Sequence, residues 1–283
     1  MVLLKNSVSK FMMMLSVFLA VSLLLTVVVG EIKFRSGKKV AVHGTKAPSS
    51  DTTDKTTDKP AFEDTVFSVL TYNMVKETQG SENSVSKDNF ESHIKYLKEN
   101  GYKSIDTSQI ADYLSGKKTI PDKAVLISFD SGYSDKYNIV FPILKKYGFN
   151  AVIFLDGSKV NNVNGYLTSG QITEMQKQGI EIGMHFISPN NIETASFEQQ
   201  RKYLEEGKQK LETITKKPIN YISYVDKKYN EDTIKAVKAL GFKAGFTTAE
   251  GKANKNSNNY EVKRLNLVHN EDIQGLINKL NIK

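Results

Sequence analysis

The chain contains no cysteine. That excludes disulfides, thiolate nucleophiles and cysteine-ligated zinc, so any metal would have to be held by His, Asp or Glu. Cysteine absence is compatible with export without requiring it. Histidine is also scarce, and His43, His93, His185 and His269 are the full set. A basic stretch interleaved with aromatic residues is missing as well. Lysine is spread along all 283 residues, so the net charge of +8 points to anionic surroundings such as a membrane surface or an acidic wall polymer ahead of nucleic acid. With 39% hydrophobic and 25% charged residues, one main folded domain is expected.

Two stretches near the start are defined by what they lack. Residues 11–30, FMMMLSVFLAVSLLLTVVVG, carry no charge and suit a bilayer-spanning helix behind a short segment of residues 1–10. No small-x-small cleavage site follows, so an uncleaved signal-anchor is expected, with secretion after cleavage as the alternative. Lys33, Arg35, Lys38 and Lys39 lie just beyond it, and the positive-inside rule alone would put the carboxyl part inside. Residues 31–61 then form a linker or stalk. Within it, GTKAPSSDTTDKTTDKPA has almost no large apolar side chain and cannot bury enough surface to fold.

From residue 62 to 283 the pattern changes to apolar runs alternating with helix-like segments. VFSVLTYNMV reads as a strand, and Asp88 to Asn100 places Phe90, Ile94 and Leu97 on one helical face. The runs AVLIS, NAVIFL, IEIGMH, INYISY and FKAGFTT read as strands, separated by amphipathic segments that mostly close on a glycine. Repeated β-then-α order predicts an α/β fold with parallel strands and crossover helices. Periodicity leaves both a barrel and an open doubly wound sheet possible.

Polar chemistry is concentrated at two strand ends. ISFDSGYSD stops a buried strand at Phe129 and presents Asp130, Ser131 and Gly132, and His185 follows IEIGM. In α/β proteins such loops are where ligands bind, although Asp130 as a simple turn or helix cap fits the local sequence equally well. Four motifs then match in order and spacing: LTYNMV, FDSGYSD, EIGMHFISPNNI, and ISYVDKKYN with the helix and strand after it. Together they make the chain resemble the polysaccharide deacetylases of carbohydrate esterase family 4, the NodB homology domain, and within them the poly-N-acetylglucosamine branch. The resemblance covers roughly Phe67 to Leu267. It implies a distorted (β/α) barrel, a cell-surface location with the carboxyl-terminal domain outside the membrane, and an N-acetylated polysaccharide as partner.

The resemblance also implies a chemistry. Family members hold a divalent metal, usually zinc, on the second Asp of F-D-D-G and two His, with the first Asp as general base for the metal-bound water. Carried over, the base position is Asp130 and the first His is His185. Ser131 stands at the metal-binding Asp, and Pro189 stands at the second His. Asn73 replaces a usual His, and Tyr224, Val225, Asp226 and Lys227 replace the Y-P-Y-G loop. A weak two-ligand site would need Asp130 itself or Asn190 to move in, but a neutral amide oxygen is a poor ligand for zinc and a lone His gives little affinity. The chain is therefore expected to bind zinc weakly or not at all, and to act as a glycan-binding or regulatory homologue. The alternatives are an active metal-dependent N-deacetylase with an unusual ligand set, and a scaffold partner of a surface glycan synthesis complex. Tyr72, Asn73, Tyr133 and Tyr224, with Tyr166, are the candidate sugar contacts, weighed against ordinary core or rim packing. His269 is expected to be a surface residue at a strand end, and His43 and His93 to be solvated.

Overall fold

β-Branched and aromatic runs bounded by glycine and polar turns become strands that pair in parallel, because each is returned to the same end by a crossover. The structure, a computed structural model, describes residues 64–282 apart from 79–81, 188–191 and 226–227. The expected anchor at 11–30, His43 in the stalk, and Pro189, Asn190, Asp226 and Lys227 lie outside the described residues. The described residues belong to the unit that spans residues 58–283. No helix among them is long and apolar enough to cross a membrane.

The strands are β1 (Ser68–Tyr72), β2 (Met74–Lys76), β3 (Ser84–Ser86), β4 (Lys103–Ser104), β5 (Ala124–Asp130), β6 (Ala151–Leu155), β7 (Glu181–Phe186), β8 (Tyr221–Tyr224), β9 (Ala244–Glu250) and β10 (Val262–Leu267). The helices are α1 (Lys87–Glu99), α2 (Thr107–Leu114), α3 (Phe141–Tyr147), α4 (Ser169–Lys177), α5 (Phe197–Thr215), α6 (Glu231–Ala239) and α7 (Ile273–Leu280). Strands pair in the order β1-β10-β9-β8-β7-β6-β5, and β5 pairs back with β1. That closes a parallel barrel with all its carboxyl ends at one rim, which decides between the two architectures the periodicity allowed. β4 pairs with the first two residues of β5, Ala124 and Val125, and β2 and β3 form a separate pair.

Strand alternation sorts the side chains into two apolar layers. Val69, Leu126, Val152, Phe154, Phe246 and Val262 share the cluster that fills the barrel, and Ile110 and Tyr113 of α2 pack into it. Leu70, Ile127, Phe129, Ile153 and Ile222 belong to the second cluster, between the barrel wall and the helices. The interior is narrow: a Cβ at Gly183 would stand 2.5 Å from a ring carbon of Phe154.

The helices start as their sequences direct. The side chains of Thr168, Ser196 and Asn230 each accept from the backbone amide of the third helical residue, whose own side chain accepts in return from the cap's backbone amide. Three features differ from the sequence reading. The first expected strand breaks at Asn73 into β1 and β2. The segment after Tyr133 opens as a π-helical turn, Lys136–Val140, before α3, whose first turn holds Pro142 and so lacks one backbone donor. His93 is fully buried rather than solvated. It shares the α1 face of Phe90, Ile94 and Leu97, and both ring nitrogens are satisfied, by the Tyr72 hydroxyl at 3.2 Å and the Asp272 carbonyl at 2.9 Å.

Candidate functional site

Alternation that points Leu126 into the barrel also points Ser128 and Asp130 inward, and Asp130 is the last residue of β5. Strands β1, β8 and β10 deliver Thr71, Ser223 and Arg264 to the same level across the barrel. Arg264 is fully buried. Its guanidinium donates to both carboxylate oxygens of Asp130, at 2.9 and 2.7 Å, in the bidentate geometry that suits this pair. Its remaining donors reach the Thr247 carbonyl at 2.7 Å and the Thr71 hydroxyl at 3.0 Å. Ser223 adds a hydroxyl bond to Asp130 at 2.8 Å. Burial pushes the Asp130 carboxyl up, but the Arg264 and His185 charges and the bonds from Arg264 and Ser223 outweigh it and hold the pKa at about 2. Asp130 is therefore ionised at neutral pH.

Above this network lies an open groove of about 470 Å³ bordered by Thr71, Asn73, Asp130, Ser131, His185 and Asn266. Ser131 follows β5 with φ of 63°, a left-handed conformation that an L-residue rarely adopts. His185 is the penultimate residue of β7 and is nine-tenths buried. The barrel thus brings together Asp130, Ser131, His185 and Asn73, which the sequence singled out from separate motifs.

A second buried ion pair supports the groove edge. The Lys136 ammonium is fully buried and lies 3.0 Å from both carboxylate oxygens of Asp135. It also donates to the Asn73 carbonyl, while Asp135 accepts the Val75 amide at 2.7 Å. Burial lowers the pKa of this amine, and the Asp135 and Asp130 charges oppose the shift. These contacts hold the β1–β2 break in place. The Asn73 side-chain oxygen is buried with no hydrogen-bond partner among the described residues.

The tyrosines fall elsewhere. Tyr72 borders the groove, yet its ring is buried in the helix layer, stacked on Phe129 at 5.5 Å. Tyr224 is fully buried and stacks on Tyr229 at 4.5 Å. Both readings as sugar contacts miss by one step of strand alternation, since Thr71 and Ser223 are the inward-facing neighbours. Tyr133 packs against Tyr166 at 4.6 Å, and neither borders the groove. His269 is exposed just after β10, as expected. Thr71, Ser223 and the role of Arg264 were missed, although period-two alternation from Asp130 outward was the available signal.

The donor set can be tested against a zinc centre of the expected kind. Asp130 has both oxygens on Arg264, Ser131 offers only a neutral hydroxyl, and His185 supplies one imidazole. No group of three His, Asp or Glu that could hold a metal occurs among the described residues. These residues do not fit a three-ligand site.

Comparison with known proteins gives consistent matches. Residues 117–245 match the polysaccharide deacetylase family model. A Bacillus subtilis (strain 168) protein named as a polysaccharide deacetylase, YxkH, is 33% identical over 209 residues, covering 74% of this chain and 72% of its own. The poly-beta-1,6-N-acetyl-D-glucosamine N-deacetylase of Staphylococcus aureus (strain MRSA252) is 30% identical, over 69% of this chain and 71% of its own. Among solved structures, the Streptococcus pyogenes deacetylase PplD superposes with a TM-score of 0.72 at 23% identity, over 78% of this chain and all of that one. That likeness speaks for the fold.

Proposed function

Since the chain belongs to the polysaccharide deacetylase family, we propose that it engages an N-acetylglucosamine-containing cell-surface polysaccharide as a glycan-binding or regulatory member, with metal-dependent deacetylation weak or lost. The observation that carries this reading is the pairing of Ser131, at the position of a metal carboxylate, with an Asp130 whose two oxygens are both held by Arg264. A carboxylate without a metal-activated water beside it has no nucleophile to deprotonate. The groove itself keeps what a neutral, amide-bearing sugar needs, namely hydroxyl, amide and imidazole groups along its border. An uncleaved anchor at residues 11–30 and an extracellular barrel complete the proposal.

The full chain, titrated calorimetrically with zinc and then with N-acetylglucosamine oligomers, tests it. Saturable oligomer binding with no one-to-one zinc binding at micromolar concentration is the expected result. Tight zinc binding, with acetate release lost in Asp130→Asn, would overturn it in favour of an active N-deacetylase. That second reading has its own support, because Asp130 is ionised and His185 is near enough to help keep it so. The double substitution Ser131→Asp with Pro189→His is expected to raise zinc affinity at least about tenfold by restoring two charged or imidazole donors. Unchanged affinity would mean that the rim loop no longer suits a metal.

A further inference from the structure

The outer face of β9 carries a second concavity that the candidate site does not use. Thr248 borders the inner groove, and its neighbours Thr247 and Ala249 border cavities on the opposite side of the barrel wall. The cause is topological. Residues 251–261 carry the chain from β9 to β10 without a helix, so this part of the wall lacks the cover that the other crossovers supply. Two cavities of about 590 and 560 Å³ result, and they share Tyr229, Thr247, Ala249 and Glu261, which makes them one elongated groove.

Its charges are unequal. Lys235 and Lys238 border one half, Lys252 and Lys263 the other, against Glu231 and Glu261. Glu261 is held in place by neutral donors, the Tyr229 hydroxyl at 3.1 Å and the Asn258 amide at 2.7 Å, and with Glu231 it offsets part of the lysine charge. Lys235 pairs with Asp232 at 2.9 Å. No ion pair among the described residues engages Lys238, Lys252 or Lys263. Lys238 instead lies 4.9 Å over the Tyr260 ring, and the Lys263 stem passes Gly251, where an added Cβ would meet it at 3.0 Å. Three cations are thus held along a concave, polar surface with the half-buried Tyr229 ring at its middle.

We infer that this outer groove binds a strand of acidic polysaccharide, its anionic groups on Lys238, Lys252 and Lys263 and its sugars along Tyr229. A concave groove bordered by polar groups such as the Asn254 amide suits a hydroxylated chain better than a flat lipid surface. Tyr229 is the single aromatic ring among the residues that line the groove, so the groove lacks the succession of platforms on which nucleic-acid bases stack. The net charge of +8 adds long-range attraction for an anionic polymer.

The test measures binding of the full chain to polygalacturonate, neutral dextran, single-stranded RNA and vesicles of anionic phospholipid. Polygalacturonate is expected to bind with an affinity that falls as salt rises, and dextran is expected not to bind. The triple variant Lys238→Ser, Lys252→Ser, Lys263→Ser should weaken that binding about tenfold or more, three modest charge contacts being removed together. The corresponding triple Lys→Arg variant should keep it, and both variants should bind N-acetylglucosamine oligomers as the parent does. Undiminished polygalacturonate binding by the serine variant overturns the inference, as does equal binding of dextran. RNA or vesicles that bind more tightly than polygalacturonate, and are released by the same substitutions, would reassign the groove.

Discussion

Asp130 and Arg264 carry the best-defined energetics in the molecule. A guanidinium with no exposure that bonds Asp130, Thr247, Thr71 and Ser223 cannot be resolvated locally, so its removal takes from the Asp130 carboxylate its bidentate partner and leaves the Ser223 bond and the more distant His185 charge. Arg264→Met is expected to cost about 3–5 kcal/mol in urea denaturation. The pH dependence has a definite sign. The Asp130 pKa is depressed from 3.8 to about 2, so its stabilisation is complete above pH 3.8 and is lost as pH falls through 2. That contribution is on the order of 2 kcal/mol. Asp130→Asn should lack this component of acid sensitivity, and equal acid slopes for parent and variant would contradict the pairing.

Helix α1 shows how one polar side chain joins three elements. His93 packs on its apolar face, takes the Tyr72 hydroxyl from β1 and bonds the Asp272 carbonyl at the start of α7. Burial lowers the His93 pKa, with the Asp272 carbonyl and carboxylate opposing the shift. The neutral ring is therefore the folded form. Stability from this contact is full above the ordinary histidine value of about 6.5 and declines as pH falls below it. Thermal denaturation between pH 7.5 and 5 should show that decline in the parent and a flatter profile in His93→Gln. An unchanged profile would mean that His93 is charged in the folded state. The reading of His93 as solvated failed because its helix was assigned from large apolar residues alone. Its spacing from Phe90 and Leu97 already placed it on their face.

Closure of the barrel depends on the chain's last fifty residues as much as on its first strands. β10 completes the ring between β9 and β1, and the turn after it is stitched to the β2–β3 region. The His269 and Asn270 amides donate to the carbonyls of Glu82 and Ser84 at 3.1 and 3.0 Å, and the Asn270 side chain accepts the Ser86 amide at 2.8 Å. Asn270 has φ of 53°, which asparagine tolerates better than most residues. Asn270→Ala is expected to destabilise by about 1–3 kcal/mol, through the unpaired Ser86 amide and the strained backbone. Hydrogen exchange should then quicken at both residues 82–89 and residues 268–272. Loss of protection on only one side would show that the two segments are not coupled.

Local patterns carried much of this protein. The alternation of apolar runs with capped amphipathic segments defined the β/α order, and Asp130 and His185 were legible because polar residues at the ends of buried strands have few structural reasons to be there. The residues that complete the site were not legible in the same way. Arg264 lies 134 positions from Asp130 along the chain, and nothing local says that their strands share one interior. Ring closure fixed that pairing, turned Tyr72 and Tyr224 into the helix layer, and left β9 partly uncovered on its outer side. Sequence determines which side chains share a face of their own element; which faces meet depends on the path of the whole chain, where burial, hydrogen bonding and charge are settled together.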